Sequence, residues 1–335
     1  MKFKPIIIVA GEPNSIFSEI FFKTIKKNQF KSPLVLICSK DLFVKQAKFL
    51  KQKINFNEIK QNIKEKRNYK LQKINLINVD YKQAKAFQKI SSKSNNYINN
   101  CFKIGLELMK SGISNKFING PISKKHFLKN KFNGITEYLA VKSKTKKFAM
   151  IIYNKKLSVC PLTTHIPIKY VTKIINKFEI INKVKLISNF WKKKFNTKVK
   201  IGVAGLNPHC ESIDKFNEDK KIILPTINQL KKININISGP HSADTIFLKR
   251  NRKKFNLIIG MYHDQVLTPI KTLFEYDAIN ITLGLPFIRV SPDHGPNEKM
   301  VGKNMSDPSS IFCAMQFIDK IKWKFLQKKV WDKTF

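Results

Sequence analysis

Leu257-Ile258-Ile259-Gly260-Met261-Tyr262-His263-Asp264 is the stretch on which the fold turns. A short apolar run without alternation describes a strand buried on both faces, as in a parallel sheet covered by helices. This one ends at a histidine. Two earlier stretches read the same way: Leu157–Leu162 runs into Thr163-Thr164-His165, and Lys200–Leu206 runs into Asn207-Pro208-His209. Between His165 and His209 lies helical pattern rich in Ile, Val and Lys, so strand, helix and strand alternate and predict an α/β architecture.

The rest of the chain extends that reading. Ile6–Ala10 and Ser32–Cys38 are expected strands, and Phe17, Ile20, Phe21 and Ile25 fall on one helical face between them, with Asn14 or Ser15 as N-cap. From about Lys60 to Asn99 the sequence is rich in Lys, Asn and Gln and poorly patterned, apart from a strand-like Ile74–Val79. Helical spacing returns with Tyr97, Cys101, Ile104 and Leu108 and stops at Gly112. Near the C-terminus, Asp307 as N-cap and Pro308 at the first helical position open a helix through Ile311, Met315, Ile318 and Phe325. A length of 335 residues exceeds one ordinary core and suits two domains. No fixed-period repeat or flexible linker marks the boundary, and a discontinuous domain sharing both termini fits.

Composition narrows the function classes. The formal charge of +42 would ordinarily point to a nucleic acid or an anionic membrane. Only four of the 64 cationic residues are arginine (Arg67, Arg250, Arg252, Arg289), whereas a phosphate-reading surface favours the bidentate Arg fork. The excess of Lys, Asn, Ile and Phe reads as coding bias, so a nucleic-acid partner is disfavoured. Five scattered cysteines without a Cys-x-x-Cys pair argue against a disulfide framework and for a cytoplasmic setting. The apolar run after Lys4 is shorter than a signal-peptide core of about 7–15 residues, and no run reaches the roughly 18 residues of a membrane span.

The histidines carry the chemistry. Ligands of open α/β sheets bind outside the carboxyl ends of the strands, where His165, His209 and His263 all fall. Three imidazoles with a vacant position make a catalytic metal arrangement suited to zinc and related divalent ions. The alternative is that each merely caps its strand end by hydrogen bonding. Arg289 stands out in a chain that elsewhere uses Lys for plain charge, which suits bidentate phosphate or carboxylate recognition; a surface salt bridge is the alternative. Lys271, eight residues after His263, could reach the same cleft. No Gly-x-Gly-x-x-Gly, P-loop or Gly-x-Ser-x-Gly pattern is present.

Eight collinear blocks resemble the 4-hydroxythreonine-4-phosphate dehydrogenase family of pyridoxal phosphate biosynthesis. They are Gly11–Ile20, Asn119–Lys124, Gly134–Ala140, Thr163–Pro167, Ala204–His209, Gly239–Thr245, Met261–Gln265 and Asn280–Gly295. The resemblance implies two α/β/α domains around a cleft, similar to isocitrate and isopropylmalate dehydrogenases. Residues 1–125 with about 300–335 would form the first, and about 126–299 the second, carrying the histidines and dimer contacts. It implies a homodimer that oxidises the C3 hydroxyl of 4-phosphohydroxy-L-threonine with NAD or NADP and decarboxylates the product to 3-amino-2-oxopropyl phosphate. One divalent ion per subunit (Zn, Mg or Co) would sit on His165, His209 and His263, the last supplied by the partner chain. Substrate contacts carry over to Thr136, Lys271, Asn280 and Arg289, and cofactor contacts to Asp293, His294 and Gly295. Lys271 would stabilise the oxyanion or relay its proton, and Asp264 and Asp244 would orient a ligand histidine or shuttle the proton.

Three departures bear on the substrate. The family's Gly-His-Thr-Glu reads Gly134-Ile135-Thr136-Glu137, the first loop has Ser15 and Phe17 in place of glycines, and the tail after His209 is Cys210-Glu211-Ser212. The same chemistry on 4-phospho-threonate or 4-phospho-erythronate is therefore an alternative. A phosphate acetyltransferase-like enzyme of similar fold is a more distant one, and an RNA-binding protein another.

Overall fold

The computed structural model describes residues 3–27, 30–60, 69–71, 73–129, 131–275 and 277–321. In chain order its strands are β1 (Ile6–Val9), β2 (Leu34–Cys38), β3 (Phe56–Glu58), β4 (Ile74–Asn78), β5 (Lys116–Asn119), β6 (Ala149–Tyr153), β7 (Ser158–Pro161), β8 (Ile201–Ala204), β9 (Ile237–His241), β10 (Leu257–Gly260), β11 (Ile279–Leu283) and β12 (Ile288–Pro292). The principal helices are α1 (Phe17–Lys27), α2 (Lys40–Phe49), α3 (Asn95–Lys110), α4 (Ile135–Lys142), α5 (Val171–Ile174), α6 (Lys177–Phe195), α7 (Leu224–Lys232), α8 (Lys249–Arg252), α9 (His263–Phe274) and α10 (Ser309–Asp319). Among the described residues no helix is long and apolar enough to cross a membrane.

Two compact units divide the chain, one up to Lys144 together with Leu285 onward, the other Thr145–Gly284. These limits lie beyond 125 at one junction and before 299 at the other. The reason is local: β12 pairs with β5, and Thr136 of α4 bonds Arg289 of β12, which draws both α4 and β12 into the first unit.

In the first unit the strand order is β3-β4-β2-β1-β5-β12, parallel throughout. β1 is Ile6-Ile7-Ile8-Val9 with every side chain fully buried, as a strand covered on both faces requires. Each such side chain contributes about 1.5–3 kcal/mol on burial. Phe17, Ile20 and Phe21 of α1 are buried as their spacing predicts, as are Tyr97, Cys101, Ile104 and Leu108 of α3, which ends with Gly112 at φ +80°. The loops leaving β1 and β5 meet backbone to backbone: Gly120 N–H donates to Val9, and Glu12 N–H to Pro121. A Cβ on Gly120 would stand 2.1 Å from the Ala10 carbonyl oxygen, so only glycine fits.

The second unit has the order β11-β6-β7-β10-β8-β9. Here the expectation of a parallel sheet needs correction, because β6 runs antiparallel to both β7 and β11. Only four residues separate β6 from β7, too few for a parallel crossover of a dozen or more. β7, β10, β8 and β9 are parallel. Ile152, Val159, Ala204, Ile258, Val266 and Ile270 form the heart of its core.

A second correction concerns the last helix. Pro308 occupies the N-cap and not the first helical position, and Asp307, one residue earlier, accepts from Ser309 N–H at 2.8 Å. Phe325 lies outside the described residues.

Candidate active site

The sheet order explains why widely spaced histidines share one edge of the second unit. β10 lies between β7 and β8, all three run parallel, and each leads into its histidine loop from the carboxyl end. Pairing continues past the strands, with Leu162 N–H donating to Gly260 at 2.7 Å and Thr163 Oγ1 donating to the Met261 carbonyl at 2.8 Å. The His165 and His263 loops are thereby drawn together, and their ring centroids lie 5.2 Å apart. The resemblance assigned His263 to a partner chain; in the structure it neighbours His165 within one chain.

His263 opens α9, and its Nδ1 lies 2.7 Å from Asp264 Oδ1. A carboxylate can only accept, so Nδ1 carries the proton, and in the neutral ring Nε2 is the atom with the lone pair. His165 and His209 hold left-handed backbone at φ +42° and +54°, and Cys210 follows at +63°. Such conformations cost of order 1–3 kcal/mol each and persist where surroundings impose them. For the His209 loop the restraint is Asp219, fully buried, which accepts from Leu206 N–H at 2.8 Å, Asn207 N–H at 3.0 Å and Asn207 Nδ2 at 3.0 Å.

Gln265 joins the two loops. Its Oε1 accepts from Met261 N–H at 2.7 Å and its Nε2 donates to the Gly205 carbonyl at 2.8 Å, tying the exit of β10 to that of β8. His209 itself is exposed. Among the described residues no three His, Cys, Asp or Glu side chains of one chain converge on a metal-sized site. The donor chemistry nonetheless fits a divalent ion, since two imidazoles lie close together and one has its Nδ1 fixed by a carboxylate.

Of the remaining second-unit candidates, Lys271 is half-buried on α9, about 12 Å along the helix axis from His263. Asn280 is half-buried on β11, and Asp244 is exposed in the loop after β9. The structure brings His165, His263 and Asp264 together, and sets Asp244 within electrostatic reach of Cys210, the residue after His209.

In the first unit, Arg289 projects from β12 and is only 1% exposed, which excludes the surface salt bridge. Its Nε donates to Asn119 Oδ1 at 2.8 Å, and its Nη1 donates to Thr136 Oγ1 at 3.4 Å. Burial pushes the guanidinium down to about 9 against the opposing pull of Glu137. An anion arriving at such a cation offsets its desolvation. Ile135, half-buried, precedes Thr136 at the start of α4. Asp293 N–H donates to Ser310 Oγ at 3.0 Å, His294 Nδ1 donates to the Gly295 carbonyl at 3.0 Å, and a Cβ on Gly295 would meet nothing within 4 Å.

Three residues with clear work escaped the sequence reading. Asn119 and Gln265 stand inside quoted blocks, where hydrogen-bonding side chains beside Gly-Pro and His-Asp were the available signal. Asp219 had none beyond being an acid among lysines.

Comparisons with known proteins agree with this architecture. The model of the pyridoxal phosphate biosynthetic protein PdxA family matches residues 29–318. The 4-hydroxythreonine-4-phosphate dehydrogenase of Sulfurihydrogenibium sp. (strain YO3AOP1) is 39% identical over 323 residues, covering 95% of this chain and 98% of that protein. The D-threonate 4-phosphate dehydrogenase of Salmonella typhimurium is 31% identical over 327 residues, covering 94% and 99%. A crystal structure of 4-hydroxythreonine-4-phosphate dehydrogenase from Klebsiella pneumoniae shares the fold with a TM-score of 0.80 at 24% identity, over 96% of this chain and 100% of that one.

Proposed function

This chain belongs to the pyridoxal phosphate biosynthetic protein PdxA family, and on that premise we propose that it is a metal-dependent NAD(P) dehydrogenase of 4-phosphohydroxy-L-threonine. The reaction oxidises the C3 hydroxyl and releases CO₂, leaving 3-amino-2-oxopropyl phosphate for vitamin B6 synthesis. The observation that carries the reading is the pair His165 and His263, 5.2 Å apart at neighbouring parallel strand ends, with Asp264 on His263 Nδ1.

When bound, a divalent ion supplies positive charge that lowers a hydroxyl pKa, and the nicotinamide accepts hydride. His165, His209 and His263 would hold that ion, in a homodimer whose subunits share the site. Asp264 keeps the His263 proton on Nδ1 and so presents Nε2. Arg289, aimed by Asn119 and Thr136, binds the phosphate through its fork. Asn280 binds the substrate, and Lys271 holds or passes the hydroxyl proton. Asp293, His294 and Gly295 take the cofactor, with open space beside Gly295.

A second reading has its own support. Ile135 replaces a hydrogen-bonding His beside the Thr136–Arg289 pair, so the same chemistry on 4-phospho-D-threonate is the rival. NAD(P) reduction with each acid, with and without a chelator, separates them. The expected outcome is turnover of 4-phosphohydroxy-L-threonine that chelation abolishes. Turnover indifferent to chelator overturns the metal role, and a preference for the threonate transfers the assignment.

A further inference from the structure

The loop after Gly295 is irregular. Its one regular piece is a single 3-10 turn at Glu298–Met300, and Asn297, Gly302 and Asn304 hold φ of +51°, +77° and +57°. Backbone of this kind keeps one shape only when neighbours impose it. Helix α1 does so at both ends. Ile16 N–H donates to the Pro296 carbonyl at 3.2 Å. At the far end Lys23 Nζ donates to Glu19 Oε1 at 2.9 Å, to the Asn304 carbonyl at 3.0 Å and to the Ser306 carbonyl at 2.9 Å. Three acceptors use all three ammonium protons. Glu19, 1% exposed, also accepts from Ser306 N–H at 2.5 Å.

We propose that the Glu19–Lys23 pair is a clamp that positions the 296–306 loop for the nicotinamide cofactor, making Lys23 a positioning residue that never touches substrate. The placement supports this: α1 and the loop both follow the carboxyl ends of parallel strands, β1 and β12, where ligands of such sheets bind. An isolated i,i+4 ion pair on a helix surface does little. This one reaches about 280 residues along the chain, and its two carbonyl partners flank the exposed Met305. The inference rests on the assignment of Asp293–Gly295 to the cofactor, and the test separates the two.

NADH and NADPH are titrated by fluorescence into wild type, Lys23→Met and Gly295→Val. The valine probes the cofactor location directly, because the space around Gly295 is open and its backbone is not left-handed. Both variants are expected to weaken dinucleotide binding, Lys23→Met by roughly tenfold. In Lys23→Met, kcat and the substrate KM stay within about twofold of wild type. Lys23→Arg, which keeps the charge on Glu19, is expected to recover part of the loss. Weakening in Gly295→Val alone overturns the clamp while keeping the cofactor location. Unchanged binding in Gly295→Val overturns the location and the clamp with it. If Lys23→Met does not fold, Lys23→Gln, which keeps the reach and one donor group, is read by the same criteria.

Discussion

The two units hold their candidate side chains in opposite ways. In the second, the imidazoles stand beyond the strand ends, His209 exposed and His165 and His263 half-buried. In the first, Arg289 belongs to a strand and is shut inside the sheet, and Lys116, on the adjacent strand β5, is buried as well, at 2% exposure. The histidine loops take their arrangement from restraints such as buried Asp219 and half-buried Gln265. A strand-borne guanidinium is oriented by the fold before any ligand arrives. The second unit thus carries its candidate imidazoles beyond strand ends, the first its candidate guanidinium on a strand of the sheet.

Removing an imidazole tests this contrast with the largest expected effect. His263→Ala should abolish chelator-sensitive turnover, with stability changed by no more than about 0.5 kcal/mol because the ring is not core. A turnover assay beside a urea titration reads both. If His209→Ala loses activity equally while binding the ion less weakly in the monomer than His263→Ala does, assembly across two copies is supported. Wild-type turnover in His263→Ala would break the metal reading.

Arg289→Lys should show the reverse balance. The substrate KM is expected to rise about tenfold or more with the fork lost, and stability to fall by about 1–3 kcal/mol as Asn119 loses its partner. An unchanged KM with lowered stability would make Arg289 a structural residue.

The smallest effect belongs to Lys116, whose Nζ donates to Ser32 Oγ at 2.9 Å and to the Asp319 carbonyl at 3.1 Å. Burial lowers its pKa to about 8, opposed by Asp319. Below pH 8 both folded and unfolded chains carry the proton, and the folded one bears the full desolvation cost. Between about 8 and 10.4 only the unfolded chain remains protonated, so this group's contribution to stability rises with pH. Urea titrations at pH 7 and 9.5 should show wild type gaining on Lys116→Met over that window. A constant difference would remove the titration.

Much of the fold was legible because unbroken apolar runs such as Ile6–Val9 and Leu257–Gly260 have few conformations open to them, and three of them stop at a histidine. β6, β9, β11 and β12 were harder to see. Pro240 interrupts β9, and β12 takes Arg289 into the sheet, a residue that pattern alone places outside. The antiparallel turn of β6 left no mark in the hydrophobic pattern, since burial on both faces looks the same in either direction.

By itself, then, the sequence determined the α/β class, the histidines at strand ends and the kinship with one dehydrogenase family, all properties that short-range pattern and motif order encode. The tertiary structure alone decided which loops meet: that β10 lies between β7 and β8, that Asn119 holds an arginine 170 residues away, and that Lys23 closes on Ser306. Those are long-range pairings, settled by sheet order and by the need of buried polar groups for partners, and neither is written in any local stretch of residues.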